Sequence, residues 1–433
     1  MHAYLRKALI LAAIPFAVVM VHGCGGGGGG GGSSSGGGSS STSSSSSSSS
    51  YAAGAVITVN TRTGVFRGDT VVTGLKGGNY VVAWTDRAVV AGTPDTAGSA
   101  ILLRIISPAG AAVTAELTAN TTTAGDQSRP AILALENGGF VVAWEDTSTT
   151  SRAIRGQLFD ANGAKSGAEF KVNTTTVADG LTSQIIPVSG GFMVVYRDRA
   201  QDLMAVTTRD GVRAQIYTPS GAVVGSELLL KSFPTGFIGG TVPSYMAVGL
   251  TDGTFVGVYD DNAIPNTSGI LKASVQRYSA LGVTSGAPIA LAGGQEAFGA
   301  SLLPLENARF VAQWTLSGPS AYNLRSQAYA SDGSTYGATV SVTNSTTVSA
   351  SYRGGVGLTG GNYVLLYEVN NRLAGQVITP EGTKYMAEFE AMSGISLDAV
   401  SIGASPNGFA VTWADNSGTG PNKPIFLRIY TRQ

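Results

Sequence analysis

The chain has 433 residues but only one cysteine and two histidines. One cysteine excludes an intramolecular disulfide framework and any cysteine-rich metal site. Charge is scarce as well: 12% of residues are Asp, Glu, Lys or Arg, and 27 bases balance 27 acids. That balance excludes a strongly basic nucleic-acid binder and an acidic solvating tail. Sustained helical periodicity is missing beyond the first two dozen residues. Abundance lies elsewhere, in 60 glycines and in short runs of β-branched and aromatic residues.

Residues 1–7 carry Arg6 and Lys7 and no acid, and residues 8–21 form an apolar run interrupted by Pro15. The run suits a secretory signal and is short of the ~20 residues a membrane span needs. Val21-His22-Gly23-Cys24 follows directly. A small residue before a cysteine at this place resembles the lipobox of bacterial lipoproteins, with His22 an uncommon occupant of its position. The resemblance implies cleavage after residue 23 and a lipid on Cys24. It also implies sorting to the outer membrane, since residue 25 is Gly rather than Asp. Cleavage removes both histidines and two bases, leaving a net charge of −2 and no imidazole. Residues 24–50 then read as a lipidated cysteine and a tether of Gly, Ser and Thr42. Such a tether has no apolar group to offset ordering entropy and spans roughly 28 Å on average.

Residues 51–433 repeat seven times. Each unit holds an apolar run, a tight turn and a second run ending in Trp or Tyr: VVTGLKGGNYVVAW (71–84), AILALENGGFVVAW (131–144), and five more. The closing aromatics are Trp84, Trp144, Tyr196, Tyr259, Trp314, Tyr367 and Trp413. A second hairpin follows, with a turn glycine at Gly110, Gly163, Gly221, Gly282, Gly333 and Gly382. Two hairpins make four strands per unit, and the second strand is apolar on both faces, so each sheet needs a neighbour on both sides. Radial repetition supplies those neighbours. The expected fold is all-β: a seven-bladed β-propeller of four-stranded antiparallel blades.

The last unit stops after its third strand, PIFLRIYTRQ (424–433), while AVITVNT (55–61) precedes the first and looks like the fourth strands AEFKVNT and AELTANT. The N-terminal segment is therefore expected to complete the last blade and close the ring, burying two edges at once. A small residue or Pro is expected nearest the axis at Gly74, Ala134, Pro187, Gly249, Pro304, Gly357 and Gly403. The repeats, best preserved at 115–175, resemble "GGFVVAW…GQLFDANG…FKVNTTT" units found in large bacterial secreted and surface proteins. That resemblance implies a propeller-like extracytoplasmic module and implies no reaction. The calcium-binding nonapeptides that accompany the family are absent.

Turns inside hairpins are short and the other connections long, so a binding face is expected where the long connections emerge. Just after the strand-closing aromatics stand Asp86, Asp146, Asp198, Asp260, Asp261, Glu368 and Asp415. These carboxylates could grip sugar hydroxyls or a cation, or simply start turns by bonding their own backbone. The tryptophans read as core; Phe298, Tyr322 and Tyr352 are candidate stacking platforms. Arg67-Gly68-Asp69 spells an adhesion tripeptide at a place where Gly-Asp recurs at 125–126. Without imidazole or thiol, the mature chain has no Ser-His-Asp or Cys-His catalysis and no histidine-ligated metal. No cofactor, metal or nucleic acid is expected. The leading expectation is a non-catalytic binding or adhesion module of the cell envelope, periplasmic or at the surface, with a glycan or envelope protein as partner. The alternatives are a periplasmic scaffold for other envelope proteins and a carboxylate-dependent glycan-active enzyme.

Overall fold

A computed structural model describes residues 50–62, 67–87, 97–149, 152–174, 183–199, 210–232, 245–260, 272–294, 297–317, 321–343, 348–394, 397–415 and 423–433. The segment read as signal and tether lies outside them, apart from Ser50. The described residues form seven four-stranded antiparallel sheets.

The chain enters at β1 (Tyr51–Thr58). Blade 1 is β2 (Arg67–Gly74), β3 (Tyr80–Asp86), β4 (Ala100–Ile106) and β5 (Leu117–Thr118). Blade 2 is β6 (Gln127–Ala134), β7 (Phe140–Asp146), β8 (Ala153–Phe159) and β9 (Lys165–Lys171). Blade 3 is β10 (Ser183–Val188), β11 (Gly191–Arg199), β12 (Asp210–Tyr217) and β13 (Val223–Ser232). Blade 4 is β14 (Tyr245–Gly249), β15 (Phe255–Asp260), β16 (Ala273–Tyr278) and β17 (Thr284–Ala290). Blade 5 is β18 (Phe298–Pro304), β19 (Phe310–Ser317), β20 (Tyr322–Tyr329) and β21 (Thr335–Ser341). Blade 6 is β22 (Ser351–Gly357), β23 (Tyr363–Val369), β24 (Arg372–Ile378) and β25 (Phe389–Ser393). Blade 7 is β26 (Leu397–Ser405), β27 (Gly408–Asp415), β28 (Ile425–Arg432) and β1.

First strands touch first strands all the way round, β2 to β6 to β10 and on through β26 back to β2. The ring is thus a seven-bladed propeller with first strands at the axis. β1 pairs with β28 from Tyr51↔Arg432 to Thr58↔Phe426, so the N-terminal segment does complete the last blade. The strand itself occupies 51–58 rather than 55–61; beyond it Val59 N–H donates to Ile425 O, and Asn60 Oδ1 accepts from Ile425 N–H.

Packing follows from the pattern. Phe140, Val142 and Trp144 join a cluster with blade 1, and Val141 and Ala143 join one with blade 3. All four tryptophans are buried, as expected for core. The axis is crowded: a Cβ on Gly74 would sit 2.1 Å from Ala404 O, and one on Gly357 2.3 Å from Pro304 O. In blade 7, however, Ala404 rather than Gly403 faces the strand-opening Phe409. The β26–β27 turn is one residue tighter than in blade 2, which moves the frame by one. The second-hairpin glycines all adopt positive φ, 85° at Gly163, a region that L side chains rarely enter.

A buried glutamine pins the outer hairpin in blades 2 to 6. Gln157 Nε2 donates to Leu158 O and Gly167 O, and Gln215, Gln276, Gln327 and Gln376 repeat the arrangement. Blades 1 and 7 carry Arg104 and Arg428 instead, and these reach the preceding blade at Val59 O and Ala391 O. All described strands and all seven hydrophobic clusters lie within 51–433, so this segment carries its own core. Among the described residues no helix is long and apolar enough to cross a membrane.

Candidate functional site

Antiparallel order puts the ends of β3, β7 and their equivalents at one end of the ring, together with the connections between hairpins and between blades. The short turns gather at the other end. The long-connection end is uneven: β3 and β4 are joined by residues 87–99, but β23 and β24 by Asn370-Asn371 alone. Both asparagines have positive φ, 51° and 58°, the conformation of a two-residue hairpin turn.

The carboxylates read from the sequence divide into two registers. Asp86, Asp146, Asp198 and Asp415 stand two residues after the closing aromatic, Asp260 and Glu368 only one. Successive strand residues face opposite sides of a sheet, so Glu368 does not share a face with Asp86, Asp146 and Asp415. Asp261 and the side chains of Asp198 and Asp260 lie outside the described residues. Asp86 is buried against Arg67, with Nε and Oδ2 3.4 Å apart. Arg67 is itself buried, which removes the 67–69 tripeptide as an exposed motif. Asp146 is buried and bonded by Arg155, Gln127 and Ser148. Burial opposes its ionisation, but those bonds outweigh it and hold its carboxyl below the ordinary range. Glu368 pairs with Arg353, and Asp415 is half-buried at the end of β27. Tyr352 is buried, its hydroxyl accepting from Ser301; Tyr322 is exposed. The Phe298 side chain is outside the described residues.

A different group comes together where blades 1 and 2 meet. The innermost strands bulge there, with β2 skipping register between Gly68 and Val71 and β6 between Ser128 and Ala131. Asp69 and Arg129 occupy the bulges with φ of 52° and 54°, sparsely populated values for residues with a side chain. Thr85 ties the two bulges: its Oγ1 donates to Asp69 Oδ2 at 3.0 Å and accepts from Arg129 N–H at 3.1 Å. Arg129 Nη1 then reaches both oxygens of Glu145, at 3.0 and 3.1 Å. Arg152 Nη1 lies 3.9 Å from the same carboxylate, and Arg87 Nη2 lies 4.0 Å from Asp69.

The Glu145 side chain is 2% exposed, while those of Arg87, Arg129 and Arg152 are 61, 43 and 36% exposed. Buried acid thus anchors half-exposed guanidinium groups. Burial pushes the Glu145 carboxyl up to about 7 against the opposing pull of Arg129 and Arg152, and the charge of Asp69 adds to the rise. Adjacent Asp146 is held low, so two neighbouring acids are driven apart. Sequence reasoning passed over this group. Its one signal is that Gly68-Asp69 and Ser128-Arg129 hold equivalent places, and the Gly125-Asp126 echo lies three residues out of register. Among the described residues no three His, Cys, Asp or Glu side chains gather to hold a metal ion.

No known family profile and no curated protein matches the chain. Solved structures do. The polysaccharide lyase Uly1 is 9% identical, with 84% of this chain and 90% of that one covered and a TM-score of 0.53. A protein of unknown function from Dyadobacter fermentans is 12% identical over 88% of this chain and 99% of that one, at 0.48. The Trypanosoma rangeli sialidase is 11% identical over 72% and 56%, at 0.39. Identities this low speak to the fold alone.

Proposed function

We propose that the chain is a tethered cell-envelope lipoprotein whose propeller is a non-catalytic binding module, with the long-connection end as its ligand surface. The observation that carries this reading is where the chain enters the ring. Gln433 N–H donates to Ser50 O, and Arg432 N–H donates to Asn407 O of a short turn. Tyr51 therefore starts β1 at the short-turn end. A lipid on Cys24 would pull from that end and turn the blade 1–2 group outward. Variable connections on a rigid scaffold are suited to recognition, and residues 51–433 offer neither imidazole nor thiol for catalysis.

The test is thermal denaturation of residues 51–433 with glycans, peptidoglycan fragments, divalent cations and envelope extracts. A ligand of the native state raises the midpoint by mass action. The reading expects such a rise, abolished by substitutions at the long-connection end; a rise abolished only by short-turn substitutions contradicts it. The Glu145 carboxyl near 7 favours a second reading, a glycan-active enzyme with Glu145 as general acid. That reading requires cleavage products, lost in Glu145→Gln while binding persists.

A further inference from the structure

We propose that the junction of blades 1 and 2 is a binding site for a carboxylate-bearing sugar, a uronic-acid residue of an acidic glycan, held by Arg87, Arg129 and Arg152. The proposal rests on the binding reading above and names its ligand class.

Three guanidinium groups sit on one small stretch of the long-connection end, each more than a third exposed, around carboxylates that are far less so. Guanidinium matches carboxylate in shape and charge and forms paired hydrogen bonds with it. Arg129 is held from beneath by its bulge, by Thr85 and by Glu145, while Arg152 and Arg87 lie at ion-pair distance, 3.9 and 4.0 Å, from Glu145 and Asp69. Preorganised donors lose little freedom on binding.

The acids argue for a sugar over an acidic peptide. Asp69 keeps 18% of its side chain exposed beside Arg87 and can accept from hydroxyl groups. A uronic acid offers a carboxylate and neighbouring hydroxyls on one ring, the complement of arginine beside aspartate. The ionised side chains of an acidic peptide only accept, and Asp69 repels them.

Glu145 competes with the ligand. When ionised it engages Arg129 and Arg152 from below, and when protonated it competes less with the incoming carboxylate for them. The charged groups facing Glu145 are Arg129 on β6, Arg152 just before β8 and Asp69 on β2. Burial raises the Glu145 carboxyl itself to about 7. Binding should therefore tighten as pH falls from 8 to 6.

The experiment is calorimetric titration of residues 51–433 with an oligoglucuronate, its methyl ester and poly-glutamate, at pH 6 and pH 8. The expected result is binding of the oligoglucuronate alone, several-fold tighter at pH 6. Arg129→Ala and Arg152→Ala should each weaken it at least tenfold, and Arg129→Lys should restore part of the loss in a domain of unchanged melting temperature. Glu145→Gln should bind equally at both pH values. Arg353→Ala, which breaks a similar ion pair in blade 6, should bind like the parent. Equal binding of the ester, preference for poly-glutamate, or indifference to all three arginines overturns the proposal. If a different ligand binds the long-connection end regardless of these arginines, the proposal fails and the binding reading stands. If nothing binds that end, both fail.

Discussion

Trp84, Trp144, Trp314 and Trp413 are buried, and none of their indole N–H groups makes a hydrogen bond among the described residues. Their worth is therefore packing and area. Trp144→Phe should cost only about 1–2 kcal/mol, while Trp144→Ala should cost about 3–5 kcal/mol, as a large cavity opens between blades 1 and 2. Urea denaturation checks the pair; equal costs would mean that the indole N–H matters. Glu145 makes a prediction of the opposite kind. Its native carboxyl is raised to about 7 from 4.5, so the native state binds this proton more tightly than the unfolded chain. The resulting stability is fully present below about pH 4.5 and is lost as pH rises through 7, a change on the order of 3 kcal/mol. Glu145→Gln should match its parent at pH 4.5 and exceed it at pH 8, measured as the difference in unfolding free energy. A variant less stable than its parent at pH 8 would show that the ion pair with Arg129 outweighs desolvation.

Between elements, a recurring glutamate clasps neighbouring blades. Glu169 of β9 accepts from Thr121 and Thr122 of blade 1 and pairs with Arg155 of its own blade. Glu116 takes Thr61, and Glu227 takes Thr174, in the same way. Burial opposes ionisation of Glu169, but the threonine bonds win and hold its carboxyl below the ordinary range. The clasp's contribution is thus present at neutral pH and lost as pH falls below about 4.5 through the lower native value. Glu169→Ala should destabilise by about 2–3 kcal/mol at pH 7 and by progressively less as pH falls below about 4.5, read by thermal or urea unfolding. Removing residues 51–61 should be far worse, since it bares the edge of β28 and opens the ring; aggregation or loss of cooperative melting is expected, and an unchanged melt would contradict ring closure.

The same elements show what a sequence reading reaches. Blade number, strand order and ring closure were legible because each rests on a pattern local to one repeat: apolar runs, turn glycines, a missing fourth strand. The frame slip at Gly403 came from a turn one residue tighter, which periodicity alone does not reveal. The glutamate recurs visibly in AEL, AEF and SEL, but its partners lie 47 to 55 residues away across a blade boundary. The carboxylates after the aromatics looked alike, although a one-residue offset already sets Glu368 apart from Asp86, Asp146 and Asp415; what one repeat hides is their partners on other strands, such as Arg67, Arg155 and Arg353. The Asp69–Arg129 group depends on two bulges meeting between blades, a juxtaposition that no single repeat contains.

At the scale of the whole molecule, the propeller is a ring with two unlike ends. The short-turn end holds both termini of the described chain, and the long-connection end holds the strained, arginine-bearing junction of blades 1 and 2. The most direct test of that division is hydrogen exchange of residues 51–433 with and without whichever ligand raises the melting midpoint. The account predicts added protection at 67–69, 85–87, 127–129 and 145–152. Protection confined to the short turns, such as 75–79 and 107–112, would contradict it and move the binding surface to the tethered end.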